Sequence, residues 1–309
     1  MFRGYEDENG KRVMDEEYLG HAVFESLNGI SDFYHNLADS IMHFAPMWVK
    51  NSSIINYDSY FLGALANTIE SIRSVLELGH ITDAKAMLRN FFDEAIVNLY
   101  FMARLKRKGV EISSRIAADN FVSEFKLEDL YDVSTSDWLS DNKTKRLQGE
   151  LYYDRMLKFL ENEASINEIV SYLNSPECKK MREWLNDAVH LNYYNTILLN
   201  DGLLCVDRAR KSAVDEFNRA VTKIVMLHIT CMFCMQPVYM MSSDYCDYLD
   251  IGKEPPEGCQ YAVAPFIQSY LDKTVYKLCP QWAAKLVATT SPMRLRILDS
   301  HEPHFSQRG

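Results

Sequence analysis

The chain has 309 residues, a net charge of −10 and 47% hydrophobic residues, values that exclude a collagen-like or broadly disordered protein and disfavour a surface for non-specific nucleic-acid binding. It contains only 12 glycines and 9 prolines, and this shortage of turn residues favours a helical fold. The seven irregularly spaced cysteines disfavour a disulfide framework, and the charged N-terminus lacks the apolar stretch of a secretory signal, so we expect a cytoplasmic protein.

Apolar residues recur with helical spacing along most of the chain. The pattern predicts helices over residues 14–28, 31–50, 57–78, 82–109, 112–130, 150–162, 165–173, 175–190, 209–241, 261–278 and 280–288. Gly29 and Gly109 are expected to interrupt or end helices, and Pro46 is expected to kink or end the helix predicted over residues 31–50. Gly79 is expected to end the first of two antiparallel helices, because glycine readily adopts the left-handed conformation found there.

Three helix starts carry capping signals. Thr82 or Asp83 is expected to cap the helix that follows Gly79. Ser165 with Glu168 has the spacing of a capping box. Ser175 stands directly before Pro176, the order expected when serine caps a helix and proline occupies its first turn.

We predict an all-α fold, because few segments alternate with the period of a strand. Residues 1–13 are interpreted as a solvated leader, residues 14–252 as the main helical bundle and residues 259–309 as a C-terminal helical extension with a frayed tail. Polar loops are expected over residues 132–145 and 253–258. The most apolar run, Ile224 to Met241, is interpreted as a buried core helix rather than a membrane span.

The first candidate site centres on Arg89, which lies among apolar residues of a predicted helix. Asp93 follows four residues later on the same face, within reach of an ion pair, and Glu94 lies roughly 100° further round the helix. Two interpretations are open. The pair is either a half-buried structural ion pair, or an arginine that faces an anion such as phosphate while the carboxylate holds it.

The second candidate site lies near the end of the helix predicted over residues 175–190. Asn186 and His190 share one face, and Asp187 is close enough to orient the imidazole. Tyr194 adds a polar group just beyond the helix. The histidine is interpreted either as a general acid or base near neutral pH or as a residue that interacts with its own helix end.

The third candidate is Cys231-x-x-Cys234, whose thiols share a helical face with His228. Zinc needs four ligands, and the sequence offers no second CxxC or HxxxH pair, so packed core cysteines are the favoured interpretation. The chain also lacks a Gly-rich phosphate loop, a GxSxG elbow and an HExxH motif. We therefore predict neither a cofactor nor a metal site.

The segment AKAMLRNFFDEAIVNLYF (84–101), the later helix end LNDAVHLN (185–192) and the long helix after it resemble the HEPN-like helical proteins, over about residues 55–240. The closer likeness is to a bacterial branch with an LRxxx[ED] helix and a later helix ending in xVH. The resemblance implies a HEPN-like multi-helix bundle with extra N- and C-terminal helices that is often dimeric. Many proteins of this kind cleave RNA without a metal ion in toxin–antitoxin and antiviral defence systems, so the resemblance implies that activity here.

The signature of these ribonucleases is an arginine and a histidine separated by four to six residues, often RNxxxH. Asn186 and His190 match its asparagine and histidine, but Leu185 occupies the arginine position and Arg182 is one residue too far away. Arg89 can take its place if the fold brings it near His190. The resemblance then implies an acid–base role for His190, stabilisation of phosphate charge by Arg89 and substrate positioning by Asn186.

Five further residues are expected to support this site, namely Asp93, Glu94, Arg182, Asp187 and Tyr194. RNA or a nucleotide is the expected ligand, and a second copy of the chain or another protein the expected partner, with no membrane. Two other functions remain open. One is a non-catalytic interaction or oligomerisation module, and the other is a helical sensor of an anionic small molecule.

Overall fold

The computed structural model describes residues 4–8, 10, 12–43, 47–50, 53–116, 129, 131–201, 207–290 and 293–295. The predicted all-α class is confirmed. The α-helices are α1 (Glu16–Leu19), α2 (Ala22–Ser40), α3 (Tyr57–Glu77), α4 (Ile81–Arg115), α5 (Val133–Leu139), α6 (Lys145–Glu150), α7 (Tyr153–Glu161), α8 (Asn167–Val170), α9 (Pro176–His190), α10 (Tyr194–Leu198), α11 (Asp207–Met235), α12 (Asp244–Asp250), α13 (Pro265–Tyr270), α14 (Tyr276–Leu278) and α15 (Pro280–Thr289).

Two short antiparallel hairpins accompany the helices. Strand β1 (Gly4–Glu6) pairs with β2 (Arg12–Met14), so the hairpin begins within the segment 1–13 interpreted as a solvated leader. Met14, the first residue after that segment, is buried. Strand β3 (Met47–Lys50) pairs with β4 (Ser53–Asn56). The second hairpin lies where we expected the end of a helix, so the prediction of a helix to Lys50 was wrong.

Helices α2, α3 and α4 form the centre of the bundle. The range predicted for α3 agrees with the structure, and Gly79 has the expected left-handed conformation, with φ of +81°. The cap predicted for α4 was wrong, because Thr82 and Asp83 lie inside the helix. Their backbone N–H groups instead donate to Oδ1 of Asn200, at 2.8 and 3.3 Å, so a distant side chain caps α4.

Interior glycines do not end helices here. Helix α2 continues through Gly29, and α4 continues through Gly109 to Arg115, contrary to both predictions. A glycine costs about 1 kcal/mol relative to alanine within a helix. Burial of flanking side chains such as Leu27 and Ile30 outweighs that cost, because each contributes about 1.5–3 kcal/mol when fully buried.

The polar segment 132–145 is not simply a loop. Asp132 caps α5 by accepting from the backbone N–H of Thr135 at 2.8 Å, and Trp138 stacks on Phe101 with ring centroids 4.1 Å apart. The packing of this one aromatic residue holds α5 against α4, although the polar composition of the segment predicted a loop. The capping box predicted at Ser165 was also wrong, since its hydroxyl donates to Glu163 and α8 begins at Asn167.

Helix α11 runs through the core, and every residue from Ile224 to Met235 is buried. The interpretation of this apolar run as a core helix is confirmed, although the helix ends at Met235 and a 3-10 turn, Pro237–Met240, follows it. No helix in the described ranges has both the length and the apolar character needed to cross a bilayer.

The C-terminal segment packs on the same core as the bundle. Helix α13, a π-helical turn (Leu271–Val275) and α14 follow one another without a break, and α15 comes next. Ile267, Leu271 and Leu286 are fully buried within the main apolar cluster. The helices predicted over 261–278 and 280–288 therefore agree closely with the structure, whereas the frayed tail predicted at 301–309 lies outside the described residues.

A chain of hydrogen bonds crosses the core. Tyr239 donates to Oδ2 of Asp58 at 2.6 Å, and Asn98 Nδ2 donates to Oδ1 of Asp58 at 3.2 Å. The amide oxygen of Asn98 then faces Nε2 of His228 at 2.9 Å, so this nitrogen is the donor. Tyr34 donates to the other ring nitrogen at 2.8 Å. Five side chains at most 2% exposed thereby satisfy one another and tie α2, α3, α4 and α11 together.

Candidate functional site

Helix α9 begins and ends as its sequence predicted. The hydroxyl of Ser175 accepts from the backbone N–H of Cys178 at 3.1 Å, Pro176 occupies the first turn and His190 is the last residue. The next residue, Leu191, has φ of +47°. This left-handed conformation costs a non-glycine residue about 1–2 kcal/mol, so backbone strain lies directly beside His190.

Arg89 of α4 meets α9. Its Nε donates to Oδ1 of Asn186 at 2.7 Å across a separation of 97 residues. Nη1 forms the predicted ion pair with Asp93, and the side chain is only 13% exposed. Oxygen atoms of Asn186 and Asp93, on two different helices, therefore fix the orientation of this guanidinium group through charge-assisted contacts.

Arg182 lies beside this pair. Its guanidinium carbon stacks 3.4 Å from the ring centroid of Tyr153, the first residue of α7. Burial raises the pKa of Tyr153 to about 12, although the positive charges of Arg182 and Arg89 act in the opposite direction. Within the described part of the chain, the buried hydroxyl of Tyr153 and the buried Nε of Arg182 have no hydrogen-bond partner.

His190 is exposed on the last turn of α9, one turn beyond Asn186. In the described ranges its imidazole makes no hydrogen bond. The carboxylate of Asp187 accepts instead from the side chain of Asn192 at 2.9 Å, which fixes the chain just after the helix. Tyr194 is 72% exposed and lies at the start of α10.

Glu94 lies apart from this group of residues. It is half-buried and contacts Thr68 on α3, and its burial raises the pKa of its carboxyl group. Of the predicted residues, Arg89, Asp93, Asn186 and Arg182 therefore come together. His190 and Asp187 lie at the adjoining end of α9.

Sequence reasoning missed Lys85, one turn before Arg89 on α4. This lysine is only 3% exposed, and its Nζ lies 4.0 Å from the ring centroid of Trp184 on α9. Burial lowers its pKa to about 8, while the negative charges of Asp187 and Glu216 partly oppose that shift. The signal that singled out Arg89, a cation among apolar residues of α4, applies equally to Lys85.

The third candidate site is part of the core. Cys231 and Cys234 are buried, and burial raises the pKa of both thiols, to about 12 for Cys234. His228 is held by Tyr34 and Asn98. Among the residues that the structure describes, no group of three His, Cys, Asp or Glu side chains could hold a metal ion.

Contacts from α4 to two neighbouring helices assemble the site. Arg89 Nε donates to Asn186 on α9, and Lys85 Nζ lies over the ring of Trp184, also on α9. The Thr82 hydroxyl, further back on α4, donates to the carbonyl of Thr196 on α10.

Comparison with models of known protein families, with curated proteins and with solved structures finds no match to this chain.

Proposed function

We propose that this chain is a HEPN-like protein of bacterial defence or stress response that binds RNA along α4 and α9 and cleaves it without a metal ion. The observation that carries the proposal is the hydrogen bond of 2.7 Å from Arg89 Nε to Asn186 Oδ1. Asn186 lies one helical turn before the exposed His190 on α9. The cytoplasm is the proposed location.

The proposed reaction needs a base for the RNA 2′-hydroxyl and a cation for the phosphate. His190 serves as the acid–base group, since imidazole exchanges protons near neutral pH. Arg89 stabilises the charge that develops on the phosphate oxygens, and Asn186 fixes the direction of its donors. Attack of the 2′-oxygen on phosphorus breaks the bond to the 5′-oxygen, which leaves a 2′,3′-cyclic phosphate and a 5′-hydroxyl end.

Lys85, Arg89 and Arg182 supply three cations that can contact an anionic ligand at this face. Carboxylates lie close to them as well, because Asp93 pairs with Arg89, and Asp187 and Glu216 act on Lys85.

The test uses the purified full-length chain, a labelled single-stranded RNA and EDTA in the buffer. We expect cleavage products with 2′,3′-cyclic phosphate ends, and a rate at least about 100-fold lower for His190→Ala and Arg89→Gln. His35→Ala is the matched control, because this histidine is also partly exposed on a helix but pairs with Glu70 on α3. Unchanged cleavage by both site variants with intact circular dichroism would refute the catalytic proposal.

One feature favours a second candidate function, a non-catalytic module for self-association. Large apolar side chains around the end of α9 are 46–72% exposed, namely Val189, Leu191, Tyr193, Tyr194 and Ile197. Clustered exposure of this kind is typical of protein interfaces. Light scattering tests it, since Tyr194→Ser with Ile197→Ser should convert a dimer into a monomer. A wild-type chain that is monomeric at all concentrations would contradict self-association.

A further inference from the structure

A cavity of about 590 Å³ opens between α2 and the C-terminal helical segment, on elements that the proposed RNA site does not use. Its volume lies in the range of small-molecule sites. Three aromatic rings line it. The centroid of Phe33 lies 4.3 Å from that of Tyr270 and 5.6 Å from that of Phe266. Hydroxyl groups of Ser26 and Ser269 add hydrogen-bonding capacity.

Gly29 lines the cavity in the middle of α2. A helix interior disfavours glycine, and packing does not require one here, because a Cβ at this position would meet no atom within 4 Å. The absent side chain instead leaves space in the cavity. The opposite wall carries the π-helical turn Leu271–Val275, whose Lys273 and Thr274 face the same space. Such turns occur frequently at functional sites.

The charges of the lining favour a positive ligand. Glu25 and Asp32 stand on α2, two turns apart on one face, and Lys273 is the only cation among the lining residues. Aromatic ring faces carry partial negative charge and attract cations. We propose that this cavity binds a small organic cation with an apolar body, such as a protonated or quaternary amine that carries a ring.

The test compares three probes of similar size on the full-length chain by isothermal titration calorimetry. Benzyltrimethylammonium is the cation, benzyl alcohol the neutral analogue and benzenesulfonate the anion. We expect saturable binding of the cation, on the order of 1 mM or tighter. Its affinity should exceed that of benzyl alcohol at least tenfold, and benzenesulfonate should bind more weakly still.

Variants then locate the site. Gly29→Leu should abolish binding while the helix content is kept, because leucine fills the cavity and favours the helix. Gly63→Leu is the matched control. Gly63 also lies inside a helix with an open Cβ position, but it does not line the cavity.

Charge variants test the sign of the interaction. Glu25→Gln and Asp32→Asn should each weaken binding by roughly two- to fivefold, and Lys273→Met should strengthen it by a similar factor. Three results would overturn the proposal, namely no saturable binding of the cation, equal affinity for all three probes, or unchanged binding by Gly29→Leu. RNA cleavage is measured on the same variants and should stay at the wild-type rate.

Discussion

Asn98→Leu should strongly destabilise the protein, because Asn98 is the link between Asp58 and His228 in the buried chain of hydrogen bonds. The substitution keeps the approximate volume but removes both hydrogen bonds, of 3.2 and 2.9 Å. It leaves the His228 N–H and one oxygen of Asp58 buried without partners. Each such group costs about 1–3 kcal/mol, and more when charged, so we expect a loss of about 4 kcal/mol in the free energy of unfolding.

Urea unfolding followed by circular dichroism measures this loss. The matched control is Asn67→Leu, the same substitution at an exposed position of α3, where we expect a change within about 0.5 kcal/mol. A loss below about 1 kcal/mol for Asn98→Leu would refute the argument that breaking the buried chain of hydrogen bonds strongly destabilises the protein.

The pH dependence provides a second check on the same variant. Burial raises the pKa of Asp58 to about 6, and the hydrogen bonds from Tyr239 and Asn98 act against this shift. Loss of the Asn98 donor therefore raises that pKa further. A folded-state pKa above the unfolded value means that stability falls as the pH rises through the folded pKa. The deficit of Asn98→Leu should therefore be larger at pH 8 than at pH 5, and an equal deficit at both would contradict the assignment to Asp58.

Three further substitutions test single contacts by thermal or urea unfolding. Leu191→Gly should stabilise the protein by about 1 kcal/mol, because glycine tolerates φ of +47°, and a lower stability would contradict strain there. Burial lowers the pKa of Lys85 to about 8, below its unfolded value, so stability should rise by up to about 3 kcal/mol as the pH rises from 8 to 10.5. Lys85→Met should remove this rise, and an unchanged pH profile would exclude Lys85 as its source. Tyr153→Phe should leave the free energy of unfolding unchanged or raise it by about 1 kcal/mol. The substitution removes a buried hydroxyl without a partner but keeps the ring that stacks on Arg182. A loss above about 1 kcal/mol would show that this hydroxyl has a partner.

Local sequence signals predicted the helices whose ends depend on adjacent residues. Ser175 and Pro176 start α9, and Gly79 ends the turn before α4, because capping and backbone conformation are properties of a few neighbouring residues. The cap that Asn200 provides for α4 comes from a residue more than 100 positions away. Propensity and spacing contain no information about such a contact, so the prediction of a local cap failed.

In the candidate site, too, contacts within one helix were predictable from the sequence and contacts between helices were not. The Arg89–Asp93 pair was predictable because the two residues are four apart on one helix. The contact between Arg89 and Asn186 depends on how α4 packs against α9, and residue spacing along the chain cannot predict such packing. Helix packing likewise decided the position of Glu94, because a rotation of about 100° from Asp93 directs it toward α3.

The pattern along α9 explains why the arginine of the RNxxxH signature cannot act from its usual position in this chain. Cys178, Met181, Leu185 and Ala188 form the buried stripe of the helix, so position 185 faces the core and Leu185 is fully buried. Arg182, Asn186 and His190 recur every four residues on a neighbouring stripe that is accessible to solvent and to α4. An arginine at 185 would bury an unpaired guanidinium group. The proposed RNA site therefore assigns the role of the signature arginine to Arg89 on α4, whose Nε donates to Asn186.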